Sequence, residues 1–236
     1  MANVTKRVAI EVGHGGPDPG AVRGNILEKN INLVVGLELK RQLERHGVSV
    51  LINRTTDVGF RVAEFRAQVV SFAPDASVSV HTNAFNGTAR GFEVYRNVNA
   101  YKITSNLLCG GIEREVKALG QTSRGIKDSP FLMSSLDCPT AYCELGFLDN
   151  PNDYAQFDTP EKQRRFAVAY AKGILDFLSV EWVDEGAAPV PPVAPPSSGV
   201  LFRVVTGSFS NRANADAQMR RLKAAGFDSF IIEHKA

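Results

Sequence analysis

The chain is expected to fold as an α/β domain, a mainly parallel twisted sheet with helices on both faces, followed by a small βαβ tail. Three observations carry this. Over residues 1–180, apolar runs of strand length alternate with stretches of helical period; prolines then cluster within 189–196; and a short strand-helix-strand pattern follows. Repeated strand-then-helix units connect by right-handed crossovers, which build parallel sheets. A chain of 236 residues is long enough for one good domain and a small appendage.

The elements follow in order. Residues 7–12 form a strand that enters a glycine-rich loop at Gly13-His14-Gly15-Gly16. Residues 28–46 place Ile31, Val34, Val35, Leu39 and Leu43 at helical spacing; Gly47 stops that helix, and 48–52 return as a strand. Asp57 is positioned to cap a second helix reaching Phe72. After a strand that ends at His81 come a strand over 92–95, a helix over 105–119, an extended piece near Phe131, a strand over 140–145 and a helix over 161–178. The phenylalanines and leucines on these helices are read as core.

Four residues, His14, Glu28, His81 and Glu144, fall where expected strands or helices meet loops. Their separations of 14, 53 and 63 residues exclude the short helical zinc-protease signature, which needs two histidines one turn apart. A dispersed His, Glu, His set still suits a catalytic zinc, with three protein ligands and an open fourth position, and Glu144 then serves as a general base. Each residue also has an ordinary role open to it. Asn25-Ile26-Leu27-Glu28 has the form of a capping box that competes for the Glu28 carboxylate. His14 suits an anion-binding loop, His81 a satisfied core histidine, and Glu144 an arginine pair. Only their joint placement favours the metal.

The segments Gly13-His14-Gly15-Gly16, Asp18-Pro19-Gly20-Ala21, Glu28 with Asn30, Ser79-Val80-His81-Thr82-Asn83-Ala84, Gly91-Phe92-Glu93-Val94-Tyr95 and Cys143-Glu144-Leu145-Gly146-Phe147-Leu148-Asp149-Asn150 resemble, in order, the motifs of the zinc-dependent N-acetylmuramoyl-L-alanine amidases of the amidase 3 family. The resemblance runs from about Val8 to Leu178. It implies one zinc ion on His14, Glu28 and His81, Glu144 as catalytic acid/base, and hydrolysis of the amide between N-acetylmuramic acid and L-alanine in peptidoglycan. Asn83 is carried as a substrate-orienting residue. With no long insertion before Ser105, the site is expected to stay open. Two rival readings are a zinc peptidase that cuts inside the stem peptide and a wall-binding protein without activity.

Beyond this domain, 181–199 reads as a proline-rich, extended linker. Strands over 201–209 and 229–233 then flank a helix over 211–225. Val204-Val205-Thr206-Gly207-Ser208-Phe209 and Leu222-Lys223-Ala224-Ala225-Gly226-Phe227 resemble the first half of a SPOR domain, a small peptidoglycan-binding module. That implies a wall-binding segment at 200–236, although so short a piece seldom folds unaided.

Charge and cysteine usage narrow the partners. A net charge of +2 with no lysine/arginine run argues against nucleic acid. No segment approaches the roughly 20 apolar residues that cross a bilayer. The first residues lack the apolar core of a secretory signal, so the expectation is cytoplasmic accumulation followed by action on the wall, as for a phage endolysin, with a bacterial autolysin or a mature secreted form as the competing origin. The three cysteines, Cys109, Cys138 and Cys143, form no Cys-x-x-Cys pair and are expected to be reduced and buried, with Cys143 facing away from its neighbour Glu144.

Overall fold

The computed structural model describes residues 5–129 and 136–185, and in the tail Asn211, Arg212, residues 214–216, 218–219 and Ile231. Six strands make one sheet: β1 (Arg7–Val12), β4 (Ser49–Ile52), β5 (Ala76–Asn83), β6 (Phe92–Arg96), β7 (Ser123–Asp128) and β8 (Thr140–Phe147). Two short strands, β2 (Val22–Arg23) and β3 (Ile26–Leu27), form a separate hairpin. The large sheet runs β4-β1-β5-β8-β6-β7. All its pairings are parallel except β6 with β8, so the expected parallel sheet is present with one reversed junction.

Side-chain alternation divides the sheet into two different faces. Val8, Ile10, Val12, Val78, Val80, Val94, Ala141 and Cys143 point into the main core, under helices α1 (Glu28–Arg45), α3 (Lys102–Ala118) and α5 (Pro160–Phe177). Those helices supply Ile31, Val35, Leu39, Leu108, Ile112, Phe166, Tyr170 and Ile174, and α5 packs against both others. The other face carries Glu11, Ser79, His81, Tyr142, Glu144 and Glu93, and is covered in part by α2 (Val62–Phe72), whose Phe65 and Val69 meet Ala9, Leu136 and Tyr142. A short α4 (Pro151–Tyr154), capped by the Asn150 side chain, follows β8.

Several local expectations change. Glu28 is the first residue of α1 and Leu27 its N-cap, with no side-chain cap, so the Asn25–Glu28 capping box does not form. Asp57 does not cap α2 either: it accepts from the Gly16 amide and the Lys29 ammonium, and α2 starts after Arg61. In both cases contacts to residues distant in the chain outcompete the local cap. Strands β5 and β8 continue past His81 and Glu144, so those residues sit within the ladder, paired with each other across it. The extended piece expected near Phe131 lies outside the described residues, and β7 is the strand that completes this edge.

Residues 1–187 and 188–236 form two units. In the first, 181–185 pack on the end of α1. Trp182 stacks on His46 at 4.7 Å and receives the cations of Lys172 and Arg45 over its ring, while the Val183 amide donates to His46 Nε2 and Arg45 donates to the Val183 carbonyl. In the second, the Ala215 amide donates to Asn211 and Arg212 pairs with Asp216, as the start of the expected 211–225 helix requires. The expected strand over 201–209 lies outside the described residues, as does all of that over 229–233 except Ile231. Among the described residues no helix is long and apolar enough to cross a membrane. Cys109, Cys138 and Cys143 are free and buried.

Candidate functional site

His14 leaves the end of β1 with φ of 62°, a left-handed conformation costly for a residue with a side chain. The turn is held by Arg54, a nearly fully buried guanidinium that donates to the carbonyls of Val12, Gly13 and Lys29. Two glycines make room. A Cβ on Gly13 would lie 2.1 Å from the His81 ring, and one on Gly20 would meet Glu28 at 2.5 Å and His14 at 2.6 Å.

Glu28 lies between the two histidines. Its Oε2 is 3.2 Å from His14 Nε2, and its Oε1 is 3.1 Å from His81 Nδ1. The remaining lone pairs are saturated: Oε2 accepts from the Ala21 amide, and Oε1 from the Thr82 amide and from Asn32, which also donates to Gly13. The other ring nitrogens meet carboxylates too. His14 Nδ1 is 2.8 Å from Asp18, and His81 Nε2 is 3.2 Å from Glu11. A carboxylate on the far nitrogen fixes the tautomer of a metal-binding imidazole and turns its other nitrogen inward.

The donor set fits a zinc ion. One ligand atom each from His14, Glu28 and His81 lies within 4.8 Å of the others. Donors about 2.1 Å from a tetrahedral zinc stand roughly 3.4 Å apart, close to the His–Glu separations already present. Burial pushes the Glu28 carboxyl up, but hydrogen bonds from His14 and His81 outweigh it and hold the group well below the usual carboxylate range. Burial would lower His81, yet Glu11 and Glu28 keep its imidazole raised; the balance at His14 has the same sign.

Glu144 has the opposite environment. It is buried, pairs with His81 across the parallel β5–β8 ladder and with Glu93 across the antiparallel β8–β6 ladder, and its Oε2 has no hydrogen-bond partner among the described residues. Burial, reinforced by Glu28 and Glu93 against the pull of His81, pushes its carboxyl up to about 8. Cys143 points into the main core, so strand alternation separates thiol from site as expected. Asn83 lies on the same edge, its amide nitrogen 3.2 Å from Glu93 Oε2 and its oxygen taking the Ala84 amide. A cleft of about 330 Å³ opens over His14, His81, Glu11 and Tyr142 and is walled by Phe60 and Val62. His14 keeps about a quarter of its side chain exposed there (26%).

The structure therefore brings His14, Glu28, His81 and Glu144 together. Glu11 and Tyr142, the latter stacked on His81 at 4.5 Å, were not singled out from the sequence, and Asp18 and Glu93 stood in motifs without a role for either. Glu11 did carry a signal: it is the one charged residue after Arg7 in an otherwise apolar strand, two positions before the glycine loop.

Comparison with known proteins places the chain in a family. The N-acetylmuramoyl-L-alanine amidase family model matches residues 8–176, and the SPOR domain model matches 184–233. The sporulation-specific N-acetylmuramoyl-L-alanine amidase of Bacillus subtilis (strain 168) is 30% identical over 232 residues, covering 96% of this chain and 84% of the relative. The endolysin of Bacillus phage SPP1 is 28% identical over 233 residues, covering 93% and 86%. Among solved structures, the catalytic domain of CwlV, an N-acetylmuramoyl-L-alanine amidase from Bacillus (Paenibacillus) polymyxa, superposes with a TM-score of 0.69 at 27% identity, covering 75% of this chain and all of that one. This chain belongs to the N-acetylmuramoyl-L-alanine amidase family and is a peptidoglycan amidase.

Proposed function

We propose that the enzyme is zinc-dependent, cuts the bond between the lactyl carbonyl of N-acetylmuramic acid and L-alanine, and thereby lyses cell walls as an endolysin or an autolysin. The observation that supports this best is the inward-turned His14, Glu28, His81 set beside an unpartnered, buried Glu144 oxygen. A zinc ion held by the three ligands would polarise the scissile carbonyl and acidify a water. Asp18 and Glu11 hold the two imidazoles in the tautomer that presents His14 Nε2 and His81 Nδ1. Glu144, whose ionised form the charge of a metal ion beside it would favour, would take the proton of the attacking water and deliver it to the departing L-alanine nitrogen. Asn83, bonded to Glu93, is the proposed substrate-orienting group. Residues 1–180 are assigned to catalysis, 181–199 to a linker whose first residues, 181–185, pack on α1 and so belong with the first unit, and 200–236 to a partial SPOR-like wall-binding segment.

Mass analysis of peptidoglycan digested by the zinc-loaded protein tests the reading. New L-alanine amino termini without new ends inside the stem peptide are expected, and chelation should stop their release. Ends inside the stem would select a peptidase. Elemental analysis of His81→Ala should find zinc lost; stoichiometric zinc in that variant removes His81 from the site.

A further inference from the structure

Glu93 is buried beside Glu144, and its hydrogen-bond partners exceed what its charge needs. Its Oε1 takes both Arg124 and Lys127, and its Oε2 accepts from Tyr95 at 2.7 Å as well as from Asn83. Two cations three residues apart on one strand would ordinarily point to opposite faces. Here β7 carries one extra residue against β6, since Phe92 pairs with Ser123 but Val94 with Ile126, and Gly125 at φ of 85° absorbs the bulge. The bulge turns both cations onto one carboxylate. One cation would suffice to neutralise Glu93; the second leaves a surplus. Asp128 at the same edge is shared by Arg96 and Lys102 on the α3 face of the sheet, so those two cations are taken up there and only Arg124 and Lys127 stand on the face of Glu144. The Arg124 and Lys127 side chains are 41% and 36% exposed.

We propose that Arg124 and Lys127 form a subsite for a free carboxylate of the stem peptide, two to three residues beyond the cleaved bond. The reach follows from strand spacing. From β8 across β6 to β7 is two steps of about 4.8 Å, roughly 10 Å in all, and three residues of extended peptide span about the same distance. The cleft walled by Phe60 and Val62 lies toward α2 and β1, away from this edge, and suits the glycan. The inference rests on Glu144 marking the scissile bond.

The test uses the zinc-loaded full chain and two soluble muropeptides with the same glycan and three-residue stem, one with free stem carboxylates and one with those groups converted to carboxamides. Wild type should show a KM roughly tenfold lower for the acid, the worth of a charge-assisted pair, at similar kcat. Arg124→Gln and Lys127→Gln should each raise KM for the acid and leave the amide nearly unchanged, and Arg124→Lys should keep part of the preference. No preference in wild type, or equal losses on both substrates in both glutamine variants, overturns the subsite and makes the cations a purely structural counterweight to Glu93. Undiminished turnover by Glu144→Gln would instead overturn the position of the base, and the reach argument with it.

Discussion

Glu28 and Glu144 are buried glutamates at one site whose surroundings push them in opposite directions. Glu28 is surrounded by donors: two imidazoles, two backbone amides and an asparagine hold it ionised. Glu144 lies between Glu93 and His81 on neighbouring strands with one oxygen unpaired among the described residues, and burial drives it toward the protonated form. The difference teaches that charge saturation, rather than residue type or depth, decides which of two buried glutamates stays ionised.

The strongest way to break this contrast is to neutralise each carboxylate in turn. Glu144→Gln should keep its zinc yet lose on the order of 10²- to 10⁴-fold in rate, with no recovery on adding zinc. Glu28→Gln should lose activity through weakened metal affinity and regain part of it as zinc is raised. Rate against zinc concentration for both variants is the measurement; rescue of the Glu144 variant would mean that base and ligand have been exchanged.

A smaller effect appears in stability. In metal-free protein a carboxyl raised from 4.5 to about 8 on folding costs stability as pH climbs through that window, each unit being worth about 1.4 kcal/mol. Glu28, whose folded value is depressed, has the opposite sign: its contribution is present above its unfolded value and is lost on acidification. Metal-free Glu144→Gln should therefore gain on wild type between pH 5 and 8 in denaturant unfolding, whereas Glu28→Gln should fall behind. Parallel curves for Glu144→Gln and wild type would remove the burial penalty from the argument.

The smallest expected effect sharpens the contrast by leaving both carboxylates alone. Trp182→Ala removes the ring between His46, Arg45 and Lys172, far along the chain from the site. It should lower Tm by roughly 2–4 °C per kcal/mol lost, with kcat and zinc content unchanged. A chain ended at Glu185 should accordingly melt higher than one ended at Leu178. Equal melting would mean that 181–185 add nothing.

Much of this was legible in the sequence because the signals were either periodic or tied to glycine. The β-then-α rhythm marked the core strands and long helices, and Gly13 with His14 marked a loop that a side chain would obstruct. What escaped depended on long-range partners. Glu28 reads locally as a cap, but the amides of Ala21 and Thr82 and both histidines claim it. Asp57 is drawn away from α2 by Gly16 and Lys29 in the same manner. The reversal of β6 was invisible too, since an antiparallel partner for β8 leaves no mark on the 92–96 alternation, and yet that reversal is what sets Glu93 beside Glu144.

The three unpaired thiols lend the fold one more property. Cys143 and Cys109 lie in the main core and Cys138 in the smaller one under α2, and burial pushes all three thiols up, Cys138 to about 11. Reagents that attack thiolate cannot reach them until the surrounding packing opens. The sulfurs are thus built-in reporters of two openings, Cys109 and Cys143 of the main core and Cys138 of the smaller one. The rates at which an alkylating agent modifies the three, followed by peptide mass, would map how tightly each layer of the enzyme stays shut, without a substitution.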